Sequence, residues 1–383
     1  MSLIRNCTEY ILGKLIVQQQ TLFLASSLLL TGLANAFLPA AQALQPSIVS
    51  QLPNQQLNEL LRQGRQFVNS GNYAGAIAVY QQAANLDRQN PKIFSGIGYL
   101  QARQGNFQEA ARAYQQALAL DPNNAPFQYA LGYSLANAGD NIGAATAYRR
   151  AIALDGKNVN NYLGLGVVLL RQKDYNGAIG AYRNVLALEP QNAQAYEWIG
   201  LSLLQQGRSR DAIQVLQQAA RLTPGQSSIQ LNLGAAWLSQ GNLTAALDAF
   251  RQAAQLAPRD ARVHVQIGRI LQSQKDFSGA VQAFRQAVSV EPNSVDAQAA
   301  MGDTMLAQGN YLDAIVAYRR LIELAPEDPQ GYYNLGVALT GRDRIPEAIA
   351  AAEKARELYR RQNQIEGVQK AESLLGELKK SRR

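Results

Sequence analysis

The sequence predicts an all-α fold, an α-solenoid of nine helix-turn-helix repeats followed by a C-terminal capping helix, and three observations carry that prediction. The chain repeats itself with a period of 34 residues, without a gap, from Leu57 to Gln362. The eighth residue of every unit is glycine: Gly64, Gly98, Gly132, Gly166, Gly200, Gly234, Gly268, Gly302 and Gly336. The twentieth is alanine every time, from Ala76 and Ala110 through to Ala314 and Ala348. A fixed period of this length marks stacked supersecondary units that share one continuous core.

Taken in order, the chain opens with a segment unlike the rest. After Arg5, Glu9 and Lys14 no charge occurs until Glu59, and Thr21 to Ala36 is apolar apart from Ser, Thr and Asn. The triplets Ala34-Asn35-Ala36 and Ala41-Gln42-Ala43 offer small-x-small cleavage sites on either side of Pro39. Residues 1–43 therefore read as a signal peptide or, if Phe37 and Leu38 extend the run, as an N-terminal membrane anchor over residues 21–38. The expected location of the array is outside the cytoplasm, periplasmic or lumenal. Pro46 and Pro53 make 44–56 a linker.

The nine units then span 57–90, 91–124, 125–158, 159–192, 193–226, 227–260, 261–294, 295–328 and 329–362. Glycine costs a helix about 1 kcal/mol relative to alanine, so its recurrence at position eight means that something approaches the backbone there. The alanine column is the expected neighbour, which places two helices of a hairpin in contact where both side chains are smallest. Six units carry glycine at position fifteen, where a left-handed residue ends the first helix. Six carry proline at position thirty-two, which ends the second. Large residues at twenty-four (Tyr80, Tyr114, Tyr148, Tyr182, Phe250, Phe284, Tyr318) and small ones at twenty-seven are core columns.

Gly at eight, Ala at twenty, Tyr or Phe at twenty-four, Ala at twenty-seven and Pro at thirty-two resemble the tetratricopeptide repeat. Arg88 and Gly156 depart from the pattern at thirty-two, Leu216 at twenty-four, and Val185 and Leu321 at twenty-seven, where helix ends could shift without changing the fold. In unit nine Ala352 and Arg360 stand at the aromatic and proline positions. The remainder, 363–383, reads as a capping helix with a basic tail, its stripe formed by Ile365, Val368, Leu374, Leu375 and Leu378.

The resemblance implies a right-handed superhelix in which positions two, five, nine, twelve and thirteen of each unit line a groove. Those columns give the candidate partner-binding residues Tyr99, Arg103, Tyr129, Tyr133, Leu163, Val167, Leu170, Arg171, Leu201 and Leu204, continued by Leu231 and Leu238. Arg65, Lys92, Arg262 and Arg269 stand around them. An apolar strip ringed by guanidinium groups suits a peptide or protein segment, although leucines in these columns also serve to pack adjacent helices. Relatives that grip acidic chaperone tails carry Lys at five with Asn at nine, and no unit here has that pair.

The expected function is thus non-enzymatic, a protein-protein interaction scaffold that assists assembly of a membrane or envelope complex. A targeting or regulatory subunit of an enzyme complex is the alternative. Cys7 is the chain's one cysteine and His264 its one histidine, so multi-histidine metal sites, zinc-thiolate centres and Ser-His triads cannot be assembled. No cofactor is expected, and His264, at position four of unit seven, is expected to fill core. The net charge of +8 admits a nucleic-acid partner, but the apolar groove argues against one. About half of that excess lies between Glu353 and the C-terminus, where nine Lys or Arg face five Glu.

Overall fold

The computed structural model describes residues 48–381, and every regular element among them is an α-helix. There are nineteen: α1 Ile48–Asn69, α2 Tyr73–Leu86, α3 Pro91–Arg103, α4 Phe107–Leu120, α5 Ala125–Asn137, α6 Asn141–Leu154, α7 Val159–Arg171, α8 Tyr175–Leu188, α9 Ala193–Gln205, α10 Ser209–Leu222, α11 Ser227–Ser239, α12 Leu243–Leu256, α13 Ala261–Ser273, α14 Phe277–Val290, α15 Val295–Ala307, α16 Tyr311–Leu324, α17 Pro329–Thr340, α18 Ile345–Arg361 and α19 Ile365–Ser381. Odd-numbered helices to α17 are the first helices of the repeats and even-numbered ones the second. The chain divides into two compact units, one ending at Leu222 with the second helix of repeat five and one beginning at Thr223. In each, successive helices pack on one another. The expected signal or anchor segment lies outside the described residues.

Two capping columns set the helix starts. Position thirty-four supplies the N-cap of the next first helix: the Asn124 side chain accepts from the Phe127 amide, Asn192 from Ala195 and Asp260 from Arg262. Position sixteen does the same for second helices, with Asn72 accepting from Gly75 and Asp174 from Gly177. Each such cap contributes about 0.5–2 kcal/mol. Helix ends are set equally regularly. All six glycines at position fifteen have positive φ, and where glycine is absent Lys173, Lys275 and Asp343 adopt the same left-handed conformation at φ 61, 64 and 56°. The turn closes by a bond from position sixteen to position eleven, as in Asn72 N–H to Phe67 O at 2.9 Å.

Second helices in repeats one to eight end at position thirty, and the following residue turns extended, φ near −130° at Asp121, Glu189 and Glu291. That conformation is what a following proline demands. The departures Arg88 and Gly156 leave the end unshifted, because Asp87 and Asp155 take the same extended backbone and bond to the carbonyls of Ala83 and Ala151. Only repeat nine, with Tyr359 and Arg360 in place of the turn, runs on to Arg361.

Three expectations need correction. In repeats one to eight the residue nearest the position-eight glycine is the side chain at twenty-four and not the alanine at twenty. A Cβ placed on Gly166 would lie 2.5 Å from Tyr182 Cζ, and one on Gly234 would lie 2.5 Å from the Phe250 ring. The ring at twenty-four, one turn beyond the alanine, packs against the bare backbone, and Leu216 fills the same place over Gly200. Second, residues 48–56 of the expected linker are the first turns of α1. Pro53 deletes one hydrogen bond there without ending the helix. Third, Ile365 does not join the stripe of α19. It is 73% exposed, whereas Ala371, Leu374, Leu375 and Leu378 are buried and Val368 is half-buried.

Candidate peptide-binding face

The open part of the candidate face lies in repeats two and three of the first unit. Tyr99 and Tyr133 stand at position nine of α3 and α5, Tyr129 at position five of α5, and all three are half-buried. Their backing explains why they stay in place. The Tyr133 ring meets Phe107 edge-on, centroids 6.1 Å apart at 75°. Tyr129 sits against the buried Tyr148 ring at 5.7 Å. Tyr73 and Tyr99 both pack on the core cluster around Ile93, Ile97 and Leu100. Such pairs contribute about 0.5–1.5 kcal/mol beyond area burial.

Burial pushes the Tyr129 phenol up to about 12 and raises Tyr133 above its ordinary value, so both present O–H donors at neutral pH. Arg103, exposed at the end of α3, donates from Nη2 to Tyr73 Oη at 3.1 Å and lies 5.6 Å from the centre of that ring. Its hydrogen bond to Tyr73, with the nearby Tyr99, raises the guanidinium above its usual value. Arg65 and Lys92 are exposed at positions nine and two of repeats one and two. At positions two, five, nine, twelve and thirteen of repeats one to four there is no Asp or Glu.

The other candidates are placed differently. Leu163, Leu170, Leu201 and Leu204 are buried, with 7, 1, 2 and 7% of their surface exposed, and Val167 is half-buried. These aliphatic residues are therefore not an open continuation of the tyrosine patch. Arg171 is half-buried: its Nη1 donates to the Ala136 carbonyl at 2.7 Å, at the last turn of α5, and burial pulls the guanidinium below its usual value. In the second unit Leu231 is buried and Leu238 half-buried, while Arg262 pairs with Asp260 at 2.5 Å and Arg269 with Asp296.

His264 is not core filler. It is half-buried on α13, and its Nε2 lies 2.9 Å from the Pro258 carbonyl in the turn before the helix. A carbonyl only accepts, so that nitrogen carries the proton. Tyr162, at position four of repeat four, donates to the Gly156 carbonyl at 3.1 Å in the same way.

Sequence reasoning passed over Tyr73 and Phe107, which support the patch from position seventeen. Their signal was present: that column also holds Tyr175, Phe277 and Tyr311. Asp303 was passed over too. In the second unit its Oδ1 accepts from Tyr318 Oη at 2.7 Å and Asn334 Nδ2 at 2.8 Å, and burial raises the carboxyl above its ordinary value.

Comparison with known proteins agrees with the repeat fold. A family profile described as the Cilia and flagella-associated protein 70 C-terminal domain matches residues 88–301. TPR repeat profiles match 64–105 and 302–340, and a tetratricopeptide repeat profile matches 331–361. No curated protein matches the chain. Among solved structures, a tetratricopeptide repeat protein from Parabacteroides merdae is 18% identical over 66% of this chain and 99% of its own, with a TM-score of 0.51. The C-terminal part of a TPR repeat-containing protein from Cytophaga hutchinsonii is 15% identical over 63% of this chain and 99% of its own, with a TM-score of 0.53. At these identities the likeness is one of fold.

Proposed function

Since the chain belongs to the tetratricopeptide repeat family, we propose that it is a non-catalytic scaffold whose tyrosine patch in repeats two and three holds a segment of a partner protein. The carrying observation is that Tyr99, Tyr129 and Tyr133 are fixed from behind yet remain half-exposed, with the cations Arg65, Lys92 and Arg103 alongside. Rigid aromatics with two rotatable bonds lose little entropy on binding, and tyrosine and arginine are the common anchors of interfaces. Catalysis has no support in this patch, whose columns carry no Asp, Glu, His or Cys over repeats one to four.

The test compares two variants with the parent. Replacing Tyr99 or Tyr133 by Ala weakens partner capture by about 1–2 kcal/mol or more, while stability falls only by the lost ring packing, about 0.5–1.5 kcal/mol. A side chain that merely packs would reverse the ranking, with stability falling by about 3–5 kcal/mol and capture unaltered. Membranes from the native source supply the partner, and the array is the bait.

The same reading places the array outside the cytoplasm, where a scaffold would assist assembly of a membrane or envelope complex. Its support is the uncharged run from Thr21 followed by the two cleavable triplets. Alkaline phosphatase fused after Gln56 is active on this reading, and an inactive fusion held in the cytoplasm overturns it.

A further inference from the structure

Position nine, which carries tyrosine in repeats two and three, carries Asp303 in repeat eight, and this carboxylate ends a directed chain of hydrogen bonds. Tyr359 Oη donates to Gln330 Oε1 at 2.8 Å, Gln330 Nε2 to Asn334 Oδ1 at 2.8 Å, and Asn334 Nδ2 to Asp303 Oδ1 at 2.8 Å. From the other side Tyr318 Oη donates to the same oxygen at 2.7 Å. Tyr318 and Tyr359 keep 0 and 3% of their surface, whereas Asp303 is exposed. Two buried phenols thus anchor a carboxylate that solvent reaches. Every link points the same way, so the bonds polarise one another toward Asp303 and hold it in place.

A positive counterpart to this carboxylate is missing. Among the described residues Asp303 forms no salt bridge, and both donors take Oδ1, so Oδ2 accepts from neither. Positions two, five, nine, twelve and thirteen of repeats eight and nine hold no Lys or Arg, the reverse of repeats one to four, where they hold no acid. Arg269, one repeat earlier, is already paired with Asp296. Crowding by its neighbours raises the Asp303 carboxyl by more than Tyr318 and Asn334 lower it, and Asp328 raises it further. A carboxylate partly withdrawn from water without a counter-charge costs free energy that an incoming cation recovers.

We propose that Asp303 is the receptor for a lysine or arginine side chain of a basic partner segment lying across repeats eight and nine. The ammonium or guanidinium group donates to Oδ2, a charge-assisted bond to an acceptor whose position is already fixed. Leu306, one turn further along α15, and Tyr333 and Val337, on either side of Asn334 in α17, are half-buried and pack on the core cluster beneath. The methylene stem of a lysine or arginine covers such a surface while its head reaches the acid. A metal ion suits the place less well, since it needs about six oxygens, and no group of three or more acidic, His or Cys side chains able to hold one occurs among the described residues. The site shares no residue with the tyrosine patch and does not depend on it.

The test titrates the full chain into a fluorescently labelled tetralysine peptide and its tetra-alanine counterpart at low ionic strength, with anisotropy as the readout. The net charge of +8 opposes non-specific capture of the first probe. Tetralysine is expected to bind and tetra-alanine not. Asp303→Asn keeps an acceptor for Tyr318 and Asn334 and removes only the charge. It is expected to weaken tetralysine binding about tenfold or more while the melting temperature holds or rises. Ala299→Lys, one turn before Asp303 on the same helix, supplies a cation from within the chain and is expected to block the peptide as strongly. Tyr99→Ala should leave this binding unchanged. Equal binding of the two peptides by the parent overturns the proposal, as does undiminished tetralysine binding by Asp303→Asn or by Ala299→Lys. So does an equal loss in Glu291→Gln, which removes one exposed charge of the same unit and would make the attraction a general one. A lowered melting temperature in Asp303→Asn with affinity retained would assign the carboxylate to the fold alone and overturns the proposal too.

Discussion

Gly166 and Gly180 lie on neighbouring helices of one hairpin, and adding a methyl group to each should act with opposite sign. A Cβ on Gly166 would meet the Tyr182 ring at 2.5 Å, and that ring is fully buried and stacked 6.2 Å from Trp198. It cannot retreat. Gly166→Ala is expected to destabilise by about 1–3 kcal/mol through overpacking. On α8, Gly180 has no atom within 4 Å of the Cβ position and does not adopt a positive φ. Gly180→Ala is expected to stabilise by about 0.5–1 kcal/mol by relieving the entropy of a helical glycine. Chemical denaturation of the two variants decides the matter, and a loss at both sites would mean that helix propensity is not what separates them. The glycine and alanine columns were legible in the sequence, because a glycine kept at one position in nine repeats leaves a visible gap. Which residue fills the gap was not. Positions twenty and twenty-four lie one turn apart on the same face, so periodicity alone cannot choose between them.

At the scale of the element, the helix boundaries follow from short polar signals. Asn or Asp at sixteen and thirty-four, a left-handed residue at fifteen and an extended residue before proline recur, and each is a local rule that the sequence displays. The last helix obeys a different logic. In repeat nine the ring at position twenty-four is missing, and Leu374 of α19 comes within 3.4 Å of the Cβ position of Gly336, beside the α18 backbone. The capping helix thus fills part of the space that an aromatic fills elsewhere. Its buried face is set by Gly367, which lies against the Tyr359 ring, and runs on through Ala371, Leu374 and Leu378. Ile365 is two residues from Gly367, about 200° around the helix, and so faces away. A stripe read from hydrophobicity alone included Ile365 because glycine carries no apolar signal. Leu378→Ala is accordingly expected to cost about 2–5 kcal/mol, and Ile365→Ala almost nothing. Since repeats couple mainly to neighbours, hydrogen exchange should show protection lost in α17 to α19 and retained in α3 to α8. Uniform loss along the chain would contradict that local coupling.

For the molecule as a whole, the question is which of its positive charges act in recognition. The chain carries 36 Lys and Arg against 28 Asp and Glu, a net charge of +8. Many cations of the second unit are already matched: Arg285 with Asp313 and Arg319 with Glu347 bridge successive repeats, and Arg320, Arg344 and Lys354 pair with acids three residues on. In the first unit Arg65, Lys92 and Arg103 flank the tyrosine patch in columns that hold no acid over four repeats. The tail residues Lys379, Lys380, Arg382 and Arg383 form the other concentration, with no aromatic among them. Charges at the rim of a binding face govern the rate of encounter and its salt dependence more than the lifetime of the complex. Reversing Arg65 and Lys92 to Glu is therefore expected to slow partner association severalfold at low ionic strength. The difference from the parent should shrink as salt is raised, with dissociation little changed. Tyr99→Ala should do the opposite, speeding dissociation while leaving the salt dependence intact. Neutralising the four tail cations to Gln should alter neither rate. Association kinetics on these three variants separate the possibilities, because a tail variant that slows association as much as the Arg65 and Lys92 reversal would move recognition from the tyrosine patch to the C-terminus.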